Sequence, residues 1–306
     1  MKHLFVVNPV AGDGRNIAEK TEEIRRAAQA HGLDYEIYET VCRMDAAEKV
    51  KREAQLGHEL RVYACGGDGT LNECVHGAAG FRNAAVTHFP CGTGNDFIRM
   101  FGDDAALFRD LDALLDGTVR PLDLIDCNGR KCINICSVGI DARIGGDVHK
   151  YSKLPLIGGS GGYVVSTAVN VFKGINRRFR VKADGYEADK KLALICVCNG
   201  RFYGGGFNPT KTAMPDDGRL EILIANGVTI FKLATVIGKY AKGEYADLPE
   251  LITYLPGRKI EIESDATFSI NVDGEMLYGT KASIHLIPEG INFLCPAGMT
   301  FFRDAK

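Results

Sequence analysis

Apolar residues fall along the chain in two rhythms, and the rhythm changes near residue 120. In the first third, short apolar runs alternate with stretches of helical spacing. LFVVN (4–8) reads as a strand and runs into the loop PVAGDG. From about 15 to 31 a helix follows, with Ile17, Thr21, Ile24 and Ala28 on one face. YEIYET (35–40) predicts a second strand and AAEKVKREAQLG a second helix ending at Gly57. LRVYACGG is a third strand, TLNECVHGAA its helix, and AAVTHFP a fourth strand. Strand–helix alternation of this kind predicts a doubly wound α/β domain, a parallel sheet with helices on both faces.

Beyond residue 120 helices become rare. PLDLIDCNGRKCINICSVG reads as two strands joined by a turn at Asn128-Gly129. Further strands are expected at 177–184, 191–199, 219–226, 258–264, 267–274 and 282–288, interrupted by helices at about 161–173 and 229–242. This half is mainly antiparallel, of β-sandwich type. The boundary is placed at about 122–127. That gives an α/β domain over 1–124 and a β-sandwich domain over 125–295.

Composition narrows the function classes. The chain has 306 residues, 45% hydrophobic and 25% charged, with a net charge of −2, which argues against a dedicated nucleic-acid binder. Its ten cysteines lack paired ligand spacing, and Cys65, Cys132, Cys136, Cys196 and Cys198 sit in apolar runs. They read as reduced core residues of a cytoplasmic protein. The N-terminus is too weakly apolar for a secretory signal, and no run approaches the ~18–20 residues of a membrane span.

The chemistry concentrates at turns. YACGGDGTLNEC (63–74) joins a strand to a helix start through glycines, which places backbone N–H groups and a helix N-terminus at one point. Thr70 or Asn72 is a candidate helix cap. Similar turns end successive parallel strands at 8–14 and 92–96, where an open α/β sheet binds ligands. Each alone is also an ordinary capped turn; three together point to a nucleotide. Asp68 would repel a phosphate unless a cation intervened, so Mg²⁺ is the expected companion. The P-loop lysine pattern is absent.

GGDGTLNE (66–73) followed by PCGTGNDF (90–97) resembles the diacylglycerol kinase catalytic family, which includes sphingosine and ceramide kinases. The resemblance spans nearly the whole chain, through NPVAG (8–12), CINICSVGIDA (132–142), CNGRFYGGGFNP (198–209), AMPDDGRLEI (213–222) and NVDGE (271–275), and its spacing is similar to the soluble bacterial lipid kinases. It implies an ATP site lined by Asn8, Gly12, Thr40, Gly66, Gly67, Asp68, Gly69, Thr70, Leu71, Asn72, Gly92 and Thr93. Thr40 rests on the family alone and otherwise reads as a strand terminus. Asn95 would shape the second loop, and Asp96 either accepts backbone hydrogen bonds that hold the loops together or caps the helix.

The resemblance also implies the acceptor side. Glu275 follows an Asp-Gly turn; by spacing it is an ordinary hairpin glutamate, by resemblance the base that takes the acceptor's proton. A structural Mg²⁺ is implied at Asp217 with the backbone carbonyls of Met214 and Arg219, Asp216 being a second acid beside it. Asp123 would support the magnesium network with Asp68 or bridge the domains. Asn134 and Asp141 are expected to face the cleft, and 200–209 to form either a lip over it or a hairpin loop.

The resemblance thus implies an ATP-dependent lipid kinase, with diacylglycerol as acceptor, the active site in the inter-domain cleft, and residues 296–306 returning to the first domain. Other lipid acceptors, a NAD kinase and a silent lipid sensor are the rivals. The expected partner is a lipid at a membrane surface, touched peripherally; a homodimer is left open. In NRRFRVKAD, Arg178, Arg180 and Lys182 alternate with apolar residues, which makes a cationic strand face that either docks on membrane or is simply solvated.

Overall fold

The computed structural model describes residues 1–12, 17–92, 94–140, 142–143 and 174–302. Thr93, Asp141, the expected start of the first helix and the helix expected at 161–173 lie outside the described residues. The chain divides into two units, Met1–Leu124 with Pro288–Lys306, and Ile125–Ile287.

In the first unit, β1 (Lys2–Val7), β2 (Tyr35–Glu39), β3 (Leu60–Gly66) and β4 (Ala84–Pro90) form a parallel sheet in the order β4-β3-β1-β2. Helices α1 (Ile17–Ala30), α2 (Asp45–Gln55) and α3 (Asp68–Ala78) connect successive strands. Ile17, Ile24 and Ala28 of α1 are buried, as their spacing predicts. The chain leaves β1 for one side of the sheet and crosses to the other for β3. The carboxyl ends of β1 and β3 therefore flank the switch point, where such sheets bind ligands. Lys2, Glu36, Lys49 and Glu53 close a ring of four ion pairs of 2.6–2.8 Å that ties β1, β2 and α2 together. Burial opposes ionisation of Glu36 and Glu53, but hydrogen bonds from both lysines hold their carboxyls below the usual range.

The short helices α4 (Asp96–Arg99) and α5 (Leu111–Leu115) lead to β5 (Thr118–Cys127). The last strand, β13 (Glu275–Cys295), ends in this unit, where Asn292 and Phe293 pair in parallel with Ala85 and Val86. The return therefore begins at Pro288 rather than at 296. An aromatic cluster holds it: Phe293 packs edge-on to Phe97, and Phe301 edge-on to Phe101.

The second unit is the β-sandwich-like one. β6 (Arg130–Cys132) pairs with β5 across a turn with Asn128 at φ 52° and Gly129 at φ 88°, the backbone an Asn-Gly hairpin demands. β7 (Ile135–Gly139) and β8 (Arg177–Ala183) each lie between β9 (Tyr186–Cys198) and β12 (Lys259–Val272). The register of β12 shifts between Glu263 and Phe268, where it passes from β8 to β7. β10 (Leu220–Asn226) pairs with the other edge of β9, and β11 (Ile252–Gly257) with β10. A helix we label α6 (Ile230–Tyr240) follows β10.

The run LALICVC in β9 is buried on both faces. Ile195 and Val197 join one core with Phe179, Ile222, Ile262 and Ile270, while Leu194, Cys196 and Cys198 join a second with Leu223, Tyr240 and Leu248. A strand covered on both sides reads as a continuous apolar run rather than an alternating one. β8 does alternate: Phe179 and Val181 are buried while Arg178, Arg180 and Lys182 are exposed. Each of these cations meets a carboxylate on the same surface, Asp189, Asp265 and Glu187 respectively. The stripe read as cationic in the sequence is a lattice of exposed ion pairs with little net charge to offer an anionic surface. All ten cysteines are free thiols and eight are buried.

Candidate active site

Three glycine-rich turns of the first unit converge. The Gly66 carbonyl accepts the amides of Cys91 and Gly92 at 2.8 and 3.1 Å, so the turn after β3 is bonded to the turn after β4. A side chain at Gly92 would come within 2.6 Å of the Gly67 Cα, and one at Gly66 would run into Thr70 Oγ1; glycine is what lets these backbones touch. Gly12, in the loop after β1, faces the Cys91 carbonyl, 2.9 Å from where its Cβ would stand. Asn8 Nδ2 donates to Thr70 Oγ1 at 3.3 Å, and the Thr40 amide donates to Val7 at the end of β1.

α3 begins at Asp68 with Gly67 as its cap residue and no side-chain cap. This corrects the reading of Thr70 or Asn72 as cap: both are buried within the helix. The first-turn amides have no intrahelical acceptor and present the positive end of the helix dipole. Gly69 is exposed, with open space where a side chain would stand. Leu71 is different: its side chain is buried and its amide is bonded to Gly67, so it backs the loop rather than lining it.

Asp68 does what the sequence suggested for Asp96. Its Oδ1 accepts the amides of Asp96 at 2.6 Å and Phe97 at 3.4 Å, which ties the first turn of α3 to that of α4. Asp96 is the first residue of α4 behind a left-handed Asn95, and its own carboxylate faces Arg99 at 3.6 Å. Beside Asp68 Oδ2 lies Gly94, whose missing side chain leaves clear a position 2.7 Å from that oxygen. Phosphates held by the helix-end amides would carry a hydrated cation, for which Asp68 would be the carboxylate ligand.

No local pattern marks His88, which lies within β4. It is fully buried and donates Nε2–H to the Gly66 carbonyl at 3.0 Å, a third bond to that oxygen. Burial pushes its pKa down to about 4. The unfolded chain takes up this proton near pH 6.5, so between pH 6.5 and 4 the unfolded state binds more protons than the fold. Stability is then fully present above pH 6.5 and falls as pH drops through that window, by about 3 kcal/mol for this group. Urea titrations at pH 7 and pH 4.5 will give a smaller acid loss for His88→Gln than for the native chain; equal losses would remove His88 as the cause. Lys20 and Arg109 carry no local signal either. They line an open recess of about 200 Å³ with Gly12, Cys91 and Gly92, which brings two cations to the glycine turns.

In the second unit Glu275 opens β13, opposite Val272. It sits on the ladder rather than projecting from the hairpin tip. The turn before it has Asp273 at φ 49° and Gly274 at φ 88°, a two-residue hairpin with both centres left-handed. Asp273 fixes the turn to β7. Its carboxylate accepts the amides of Ile133 and Ile135 at 2.8 Å, that of Asn134 at 3.3 Å, and the Cys132 thiol at 3.0 Å. In DGE, then, the aspartate anchors, the glycine turns and the glutamate is presented. Asp273→Ala leaves buried amides without an acceptor and will cost about 3 kcal/mol in denaturant titration; an unchanged midpoint would contradict the anchoring role.

The remaining candidates have structural partners. Asp123, buried, accepts the Glu289 amide at 2.9 Å and so binds β5 to the returning strand within the first unit. Asn134 donates to the Phe202 carbonyl at 2.7 Å, and 200–209 is a hairpin loop closed by a bridge between Tyr203 and Phe207. Asp217 accepts the Arg219 amide at 3.1 Å and its guanidinium at 2.9 Å. A cation held there with the Met214 and Arg219 carbonyls would compete with that guanidinium for Asp217. Among the described residues no cluster of three or more His, Cys, Asp or Glu is arranged to hold a metal.

The sequence profile of the diacylglycerol kinase catalytic domain matches residues 2–127, which carry the three converging glycine-rich turns. The chain belongs to the diacylglycerol kinase catalytic family. The profile of the YegS C-terminal NAD kinase beta sandwich-like domain matches residues 134–295. Similar curated proteins are the Staphylococcus epidermidis "Putative lipid kinase SERP0390", 25% identical over 234 residues, and the Staphylococcus aureus "Putative lipid kinase SAR0780", 26% identical over 234 residues, each alignment covering 76% of either chain. Among solved structures, "a putative diacylglycerol kinase" from Bacillus anthracis aligns over 97% of both chains with a TM-score of 0.75 and 26% identity. A second from that organism aligns over 97% of this chain and 99% of its own, with a TM-score of 0.71 and 25% identity. This member of the diacylglycerol kinase family is an ATP-dependent lipid kinase. Among the described residues no helix is long and apolar enough to cross a membrane.

Proposed function

We propose that this kinase transfers the γ-phosphoryl group of ATP to the free hydroxyl of diacylglycerol, giving phosphatidate and ADP. The observation that carries the reading is the convergence of three glycine turns around the start of α3, within the residues matched by the diacylglycerol kinase profile. The first-turn amides of α3 and the exposed Gly69 hold the nucleotide phosphates. Magnesium, when bound at Asp68, would supply charge neutralisation on those phosphates. Glu275 takes the proton of the acceptor hydroxyl as that oxygen bonds to phosphorus and the bridging bond to ADP breaks.

The nucleotide turns say nothing of which lipid is used. The test is kcat/KM for diacylglycerol, monoacylglycerol, a sphingoid base and phosphatidylglycerol in matched mixed micelles. The highest value is expected for diacylglycerol. A higher value for any other lipid reassigns the acceptor.

A further inference from the structure

α6 is an apolar helix that the fold does not bury. Of Ile230–Tyr240 only Tyr240 is buried, and Leu233 and Val236 on the same side pack on neighbouring cores. The opposite ridge carries Phe231, 83% exposed, with Ile230 and Ile237 at 46% and 39% beside it. At 100° per residue Ile230, Phe231, Ala234 and Ile237 form one continuous sector, and Lys232 and Lys239 fall together on the adjoining one. Residues 229–243 hold three lysines and no acidic residue. Lys239 pairs with Asp247 across the surface, whereas Lys232 and Lys242 make no ion pair among the described residues.

This is the reverse of β8, whose cations are all matched by acids. An apolar sector edged by unmatched lysines complements a surface that is apolar beneath and anionic above, which is an anionic phospholipid bilayer. We propose that α6 is the element that seats this protein on such a bilayer, with Phe231 and the two isoleucines in the acyl boundary and Lys232 and Lys242 among the headgroups. The inference rests on the lipid-kinase reading and names the surface by which its substrate is reached.

Vesicle sedimentation tests it, with phosphatidylcholine vesicles alone and with phosphatidylglycerol added. Phe231→Glu should weaken binding to the anionic vesicles by about tenfold or more. Lys232→Gln with Lys242→Gln should weaken it by about 30-fold and leave binding to phosphatidylcholine unchanged. Both variants should keep the native Tm and the native rate on a short-chain diacylglycerol dissolved as monomer. Native-strength vesicle binding by Phe231→Glu overturns the proposal. So does a lowered Tm in that variant, which would mean that another segment of the chain covers the face. Loss of a dimer with vesicle binding kept would make the occupant a second copy and equally overturn it. Absence of transfer to the dissolved substrate by the native protein would instead defeat the proposed function, whatever the vesicles show.

Discussion

Replacing Glu275 with glutamine is expected to lower kcat by about 10²–10⁴-fold, the range for loss of a positioned general base. Glutamine keeps the size and a hydrogen-bonding oxygen but cannot hold the proton. The side chain stands at the first rung of β13 on a turn secured by Asp273, so the substitution leaves the fold in place. The KM for ATP should hardly change, because the glycine turns belong to the first unit. A variant with near-native kcat would remove Glu275 as the base. One with normal kcat and a raised KM for ATP would make it a binding residue instead.

Asp68→Asn separates two roles that one carboxylate combines. As a strut, Asp68 needs only an oxygen that accepts the Asp96 and Phe97 amides, and asparagine supplies one. Losing the charge from those bonds costs about 1–2 kcal/mol. As a cation ligand it needs the negative charge, which asparagine lacks. With both roles present, kcat should fall by about 10²–10³-fold, comparable to removing a preorganised electrostatic contact, with a modest loss of stability. Raised magnesium should recover part of the rate. Near-native kcat would reduce Asp68 to a strut between α3 and α4.

Much of this was legible in the sequence because it is local. The period of 17, 21, 24 and 28, the Asn-Gly and Asp-Gly hairpins and the glycine turns after successive strands each depend on a few neighbouring residues. What escaped notice is long-range. Nothing near His88 announces that its ring supports the Gly66 carbonyl, and nothing near Asp273 announces bonds to amides some 140 residues away. Lys20 reads as a helix-surface lysine until the fold lays it beside Gly12 and Gly92. The misjudged cases share one cause. β8 alternates as its sequence predicts, but its neutralising acids arrive from β9 and from the register shift in β12. The sequence predicts a helix at 229–242, and only the packing tells which of its apolar faces is left outside. The bracing role expected of Asp96 falls to Asp68 because both aspartates open a helix just after a glycine-rich turn, and only the distances say which one accepts the other's amide.

The most direct test of the central claim is a single incubation of the purified protein with γ-labelled ATP, magnesium and vesicles containing diacylglycerol, with NAD⁺ present as a competing acceptor. The account predicts that the label moves into the organic phase as phosphatidate and that transfer stops when Glu275 is replaced by glutamine. Label on NAD⁺, or none in any lipid, would contradict it.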